Sequence, residues 1–197
     1  MWKGLSERLE GEIVVLEPLG REHEEELRAI AADPDIWRWM TVRGHEPEIF
    51  TSWLDLTLTA AEEGREAPFA IRLRETGDIV GSSRYLTLRP EHRGVEIGYT
   101  WHIPDVWGKG VNVEAKYLLL RHAFEDLGCI RVEFKTDALN ERARAALAAL
   151  PARFEGIFKS HMLVRDDTVR DSAWYAVTEG EWPAVRANLE RRISEKR

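Results

Sequence analysis

Glu96-Ile97-Gly98-Tyr99-Thr100-Trp101-His102 followed by Trp107-Gly108-Lys109-Gly110-Val111-Asn112-Val113-Glu114-Ala115 is the stretch on which the reading of this chain turns. Its first part alternates, with Val95, Ile97, Tyr99 and Trp101 on one side and Glu96, Gly98, Thr100 and His102 on the other. That is the period of a strand, and Pro104 ends it. Its last part opens the longest helical stripe of the chain: Val113, Tyr117, Leu120, Phe124 and Leu127, with Gly128 placed as C-terminal cap. A strand, a glycine-containing loop and a helix N-terminus in that order can hold an anion. The unpaired N–H groups of the first turn point outward, the helix dipole adds partial positive charge, and glycine lets the backbone approach a phosphate. Lys109 would add a full charge. On the loop alone, a plainer reading stays open in which Gly108 and Gly110 only shape a strand-to-helix connection.

Working outward, Ile13 to Leu16 reads as a first strand, stopped by Pro18. Arg21 to Ala32 reads as a helix with Leu27, Ile30 and Ala31 inward. Ile49, Trp53, Leu56 and Ala60 give a second helix closed near Gly64. Phe69 to Leu73 and Ile79 to Leu88 form a hairpin about Thr76-Gly77-Asp78. Beyond the central helix, Arg131 to Asp137 alternates again, and Asn140 caps an Ala-rich helix to Leu150. Two extended segments, roughly 153–163 and 171–178, flank Asp166-Asp167, and Trp182, Val185 and Leu189 mark a last helix. Strands joined mostly by hairpins, with one crossover in the middle, predict an α/β fold. It is a mixed, mostly antiparallel central sheet with flanking helices.

A length of 197 residues suits a single domain over 1–197, with a core of about 12–183 and a C-terminal helix of about 181–194. One cysteine, Cys129, cannot form a disulfide pair, and six scattered histidines show no metal-ligand spacing, so no metal is expected. The N-terminal residues lack the basic start and apolar run of a signal peptide, and no apolar stretch approaches the ~20 residues that span a bilayer. A cytoplasmic protein without membrane contact is expected. A formal charge of −7 argues against nucleic acid and slightly favours a cationic amine partner.

The quoted stretch resembles the acetyl-CoA motif of the GNAT superfamily of N-acetyltransferases, and is most similar to the branch containing the ribosomal-protein N-acetyltransferases. The similarity runs on through Leu118-Leu119-Leu120-Arg121-His122-Ala123-Phe124-Glu125 and Asn140-Glu141-Arg142. It then reaches Phe154-Glu155-Gly156 and Arg170-Asp171…Trp174-Tyr175, so that it covers Glu12 to Pro183. The resemblance implies acetyl-CoA as co-substrate and transfer of acetyl to a primary amine, of a small molecule or a protein N-terminus, by direct attack in a ternary complex. Trp107, Gly108, Lys109, Gly110, Val111, Asn112 and Val113 would surround the pyrophosphate. Thr100, Trp101 and His102 would run beside the pantetheine, and Asn140 would hydrogen-bond the cofactor arm, cap its own helix, or do both.

For the chemistry, Glu96 is the first candidate base, because it alternates in phase with Thr100 and His102 and matches a frequent acidic position of the family. His102 is the second, and Tyr175 a stand-in acid. Many relatives carry a tyrosine or a serine where this chain has Leu147 and Ala143, so neither usual acid is present, and a non-catalytic acyl-CoA-binding module is the alternative function. Leu150-Pro151 also departs from the usual Leu-Gly, and Asn112 stands where Gly or Ala is usual. The cluster Trp37-Arg38-Trp39-Met40 either packs inward or walls the acceptor pocket, and Trp37 and Trp39 are the acceptor-site candidates. A homodimer stays open as the assembly.

Overall fold

The computed structural model describes residues 2–196. In chain order the elements are β1 (Leu9–Glu10), β2 (Val14–Pro18), α1 (Glu24–Ile30), α2 (Pro34–Trp37), α3 (Pro47–Glu62), β3 (Ala67–Leu73), β4 (Ile79–Arg89) and β5 (Gly94–His102). There follow α4 (Val111–Arg121), β6 (Arg131–Asp137), α5 (Glu141–Ala149), β7 (Arg153–Val164), β8 (Thr168–Thr178) and α6 (Trp182–Ser194). The predicted order holds, with β1 and the one-turn α2 added. The fold class is as expected, a mixed α/β sheet flanked by helices. Among the described residues eight strands lie in the order β1-β2-β3-β4-β5-β6-β8-β7. Every neighbouring pair is antiparallel except β5 and β6, which α4 joins by the crossover.

The two faces of this sheet bury different clusters. One face packs Leu16, Phe69, Ile71, Tyr85, Val95, Ile97 and Phe134 under α4 and α6, through Leu118, Leu119, Val185 and Leu189. The other packs Ala70, Ile79 and Trp101 under α1 to α3, through Leu27, Trp37, Phe50, Trp53 and Leu54. On α3 the inward residues are Phe50, Trp53, Leu54, Thr57 and Ala60. Ile49 and Leu56, read as part of the buried stripe, are 38% and 71% exposed. The helix has two apolar stripes at helical spacing, and contact with the sheet selected the one that carries Phe50 and Leu54.

The central helix begins at Val111 and passes into one wide π turn, His122–Asp126, before Gly128 reverses the chain with φ 65°. Its Glu114 carboxylate accepts from the main-chain N–H groups of Glu12, Ile13 and Val14 at 2.9, 2.6 and 2.6 Å. A buried carboxylate with three donors pins the start of α4 to the start of β2. The loop before α4 is thereby held at a defined place on the sheet.

Candidate active site

Strands β5 and β6 pair only where Gly94, Val95 and Glu96 face Arg131, Val132 and Glu133. Beyond those residues the two strands diverge, and a cavity of about 700 Å³ opens between them. Among the described residues no strand lies beside the β6-side edge of β5 past Glu96, so its main-chain groups, apart from the His102 carbonyl, are left to meet whatever enters the cleft.

A bulge reorganises this strand. Ser82 faces Trp101 while Arg84 faces Gly98, so Tyr99 and Thr100 together oppose the single Ser83. Tyr99 takes φ 47°, in the left-handed region. The extra residue reverses the alternation from that point on. Val95 and Ile97 lie in the α4 cluster, whereas Trp101 lies in the opposite cluster with Tyr99 packed against it. The sequence alternation put Glu96 and Thr100 on one face. The bulge puts Thr100 on the face of α4 and leaves Glu96 on the face of α1 to α3.

At the α4 end, Gly110 caps the helix with φ 89°, and the first helical bond is Glu114 N to Gly110 O at 2.9 Å. The amides of Val111, Asn112 and Val113 precede that bond and are unused by the helix. Asn112 and Val113 line the cavity, while the Val111 side chain is buried in the core. Gly108, at φ 76°, also lines it, whereas Lys109 is exposed and lies outside the lining. Three other cations, Arg142, Arg192 and Lys196, line the cavity. The Arg142 guanidinium stacks 3.6 Å over the Trp107 ring, and the Trp107 indole N–H donates to the His102 carbonyl at 3.1 Å.

The floor of the cleft holds a residue that the motif reading missed. Lys116 is 7% exposed, its Nζ donates to Thr100 Oγ1 at 2.6 Å, and Thr100 Oγ1 lies 2.7 Å from Ser83 Oγ. Burial brings its ammonium down to about 7, against a raising influence from Glu96. The available signal was its position three residues after Val113, inside the apolar stripe of a helix. His102 is 8% exposed, its Nε2 has no hydrogen-bond partner, and burial, then Lys116 and Arg142, bring it down to about 3. A ring that reluctant to take a proton is a poor base for an ammonium. Asn140 uses its side-chain oxygen to cap α5, accepting from Ala143 N at 3.1 Å, and also lines the cavity. Its amide N–H groups have no hydrogen-bond partner among the described residues.

On the opposite face, Glu96 is 1% exposed and lines the cavity. Its carboxylate accepts from Lys135 Nζ at 3.1 Å and Thr87 Oγ1 at 3.0 Å. Trp39 lines the cavity, but Trp37 does not. Trp37 is 1% exposed, donates to the Ala31 carbonyl at 2.8 Å and packs against Trp53 and Trp101. The two indoles sit two residues apart on one turn of chain, so one turned inward and the other toward the cleft. Tyr175 is likewise outside the cavity lining: its hydroxyl accepts from Arg144 Nε at 3.1 Å and its ring lies against Phe154. Parity along β8 turns it into the α4-side core, away from Glu96.

A mixed sheet with one splayed parallel pair and a glycine-capped helix at the splay is the fold of solved acetyltransferases. Residues 14–152 match the acetyltransferase (GNAT) domain family, and the chain belongs to that family. A crystal structure from T. thermophilus, described as an acetyltransferase, is 37% identical, with 98% of this chain and 100% of that one covered and a TM-score of 0.87. Mycobacterium smegmatis RimJ in complex with CoA-disulfide is 25% identical over 97% of each chain, with a TM-score of 0.81. An uncharacterised N-acetyltransferase of Bacillus subtilis strain 168, YoaA, is 24% identical over 86% of this chain and 95% of its own.

Proposed function

We propose that this protein transfers the acetyl group of acetyl-CoA to a primary amine, with both reactants bound together. The observation that carries the reading is the cleft that passes between β5 and β6. It joins an anion cradle on the α4 face to a carboxylate, Glu96, on the other face. Coenzyme A is a long polyanion with a narrow arm. The residues present fit it: Gly110 and the amides of Val111 to Val113 suit the pyrophosphate, and Arg142, Arg192 and Lys196 suit the remaining phosphate charge. Thr100, Trp101 and His102 offer the unpaired edge of β5 to the pantetheine arm, and Asn140 reaches it from α5. Trp107 and Gly108 close the mouth.

Acetyl-CoA supplies an activated thioester, and the protein supplies three things. A main-chain N–H on the free edge of β5, near Trp101 or His102, donates to the developing oxyanion. Glu96 takes the proton of the amine, directly or through a water, with Lys135 and Thr87 fixing its carboxylate. Lys116 places positive charge on the floor for the departing thiolate. A thiol with an ordinary pKa near ~8.5 then leaves without the tyrosine or serine that many relatives use. The acceptor meets Glu96 from the α1–α3 face, against Trp39. Tyr175 has no part in this scheme.

Thiol release from acetyl-CoA, followed across a panel of amines, tests the reading. Release that depends on the amine, with intersecting initial-rate lines, is expected. One observation favours a second reading: Ala143 and Leu147 line the cavity as apolar wall where relatives often place an acid. If acetyl-CoA raises the melting temperature but no amine releases thiol, the domain binds acyl-CoA without turning it over. If acetyl-CoA leaves the melting temperature unchanged, both readings fall.

A further inference from the structure

Arg170 stands on β8 opposite Met162 of β7, and both line the cavity. It is 7% exposed, and its Nε is sealed from solvent without a hydrogen-bond partner. Among the described residues no carboxylate forms an ion pair with it. Asp137 and Glu96 act on it only at longer range, while the Glu96 carboxylate is taken by Lys135 at 3.1 Å. A buried guanidinium without an anion is costly, and a planar fork of donors matches a carboxylate. Alternation along β8 sets its face. Ala173, Tyr175 and Val177 enter the α4-side core, so Arg170, Ser172 and Trp174 look the other way, toward the side of Glu96 and Lys135. The β7–β8 turn is tied to the acceptor wall, because Arg165 donates to the carbonyls of Trp37 and Arg38 at 2.7 and 2.6 Å. Apolar groups surround this part of the cavity: Ile36, Trp39, Met40, Tyr99 and Met162.

We infer that the acceptor is an amine with an apolar body and a carboxylate of its own, which Arg170 binds while Glu96 faces the amine. This rests on the transferase reading above and names the substrate class for the same site. The same two cations reach His161: burial lowers its pKa, Lys135 and Arg170 lower it further, and Glu96 opposes them. Asp137 and Glu96 reach Arg170 only through their field and neither bonds its guanidinium, so a neutral or cationic tail on the acceptor would leave that guanidinium without a direct partner.

Calorimetry on the protein saturated with coenzyme A tests this with matched pairs: phenylalanine, tryptophan and 6-aminohexanoate, each against its carboxamide. At least one carboxylate is expected to bind about tenfold or more tighter than its amide, since a site built around a charged donor rejects the analogue that lacks the partner. Arg170→Gln should flatten that ratio, and Arg170→Lys should restore part of it. In both variants the melting-temperature rise caused by coenzyme A should match that of the unmodified protein, which shows that the fold and the cofactor end are intact. Equal binding of acid and amide, no binding by any of the acids, or a preference that survives Arg170→Gln would overturn the proposal. Failure of coenzyme A itself to bind would instead remove the transferase reading on which it rests.

Discussion

Lys116 Nζ lies 2.6 Å from Thr100 Oγ1, a buried lysine on α4 reaching a strand hydroxyl that a bulge has turned toward it. Its folded pKa of about 7 is below the ordinary 10.5. Between those two values the unfolded chain holds a proton that the folded chain does not, so stability rises with pH across the window. Below the folded value the full penalty of burying the ammonium applies. Lys116→Met should therefore be more heat-stable than the unmodified protein at about pH 6, with the gap closing toward about pH 10. Melting curves over that range check it, and a constant gap would refute it.

His102 predicts an acid limb. Its folded value of about 3 lies below the ordinary 6.5, so the unfolded state binds the extra proton as pH falls through that interval. Its contribution to stability is steady above about 6.5 and is lost progressively down to about 3. His102→Gln is expected to melt less steeply with falling pH over this interval. Circular dichroism melts at a series of acid pH values would show the difference.

Gly110→Ala tests the cradle. At φ 89° an alanine is strained, and its Cβ would come within 2.9 Å of Ile13 Cδ1. A loss of about 1–2 kcal/mol of stability is expected. Coenzyme A binding should weaken at the same time, because the amides that follow are displaced together. Calorimetric titration separates the two effects, and unchanged affinity would detach this loop from the ligand.

Glu96→Gln tests the base. It keeps the shape and the Thr87 contact while removing the proton acceptor, so turnover should fall by about 100-fold or more. Coenzyme A affinity should stay as it was, since Glu96 lies on the other face of the sheet. Steady-state thiol release paired with calorimetry reads both, and equal turnover would take Glu96 out of the scheme.

Much of this was legible along the chain. The periods of two and 3.6, the proline and glycine punctuation, the loop Trp107 to Asn112 and the strand–loop–helix order all depend on neighbours in sequence. They foretold the elements and the mixed sheet. Individual roles within the loop were less legible: Lys109 and Arg142 are both cations near a phosphate-shaped turn, and only packing put Arg142 over Trp107 and left Lys109 outside.

The chain order of strands, the helix pattern and the family membership were determined by the sequence alone. Tertiary structure decided which side chains share a chamber. A single extra residue at Tyr99 reverses the face of everything after it, and simple alternation carries no mark of such an insertion. Divergence of β5 from β6 after Glu96 then makes one cavity of two opposite faces. That is why Lys116, Glu96 and Arg170, distant in sequence and in no common motif, line it together.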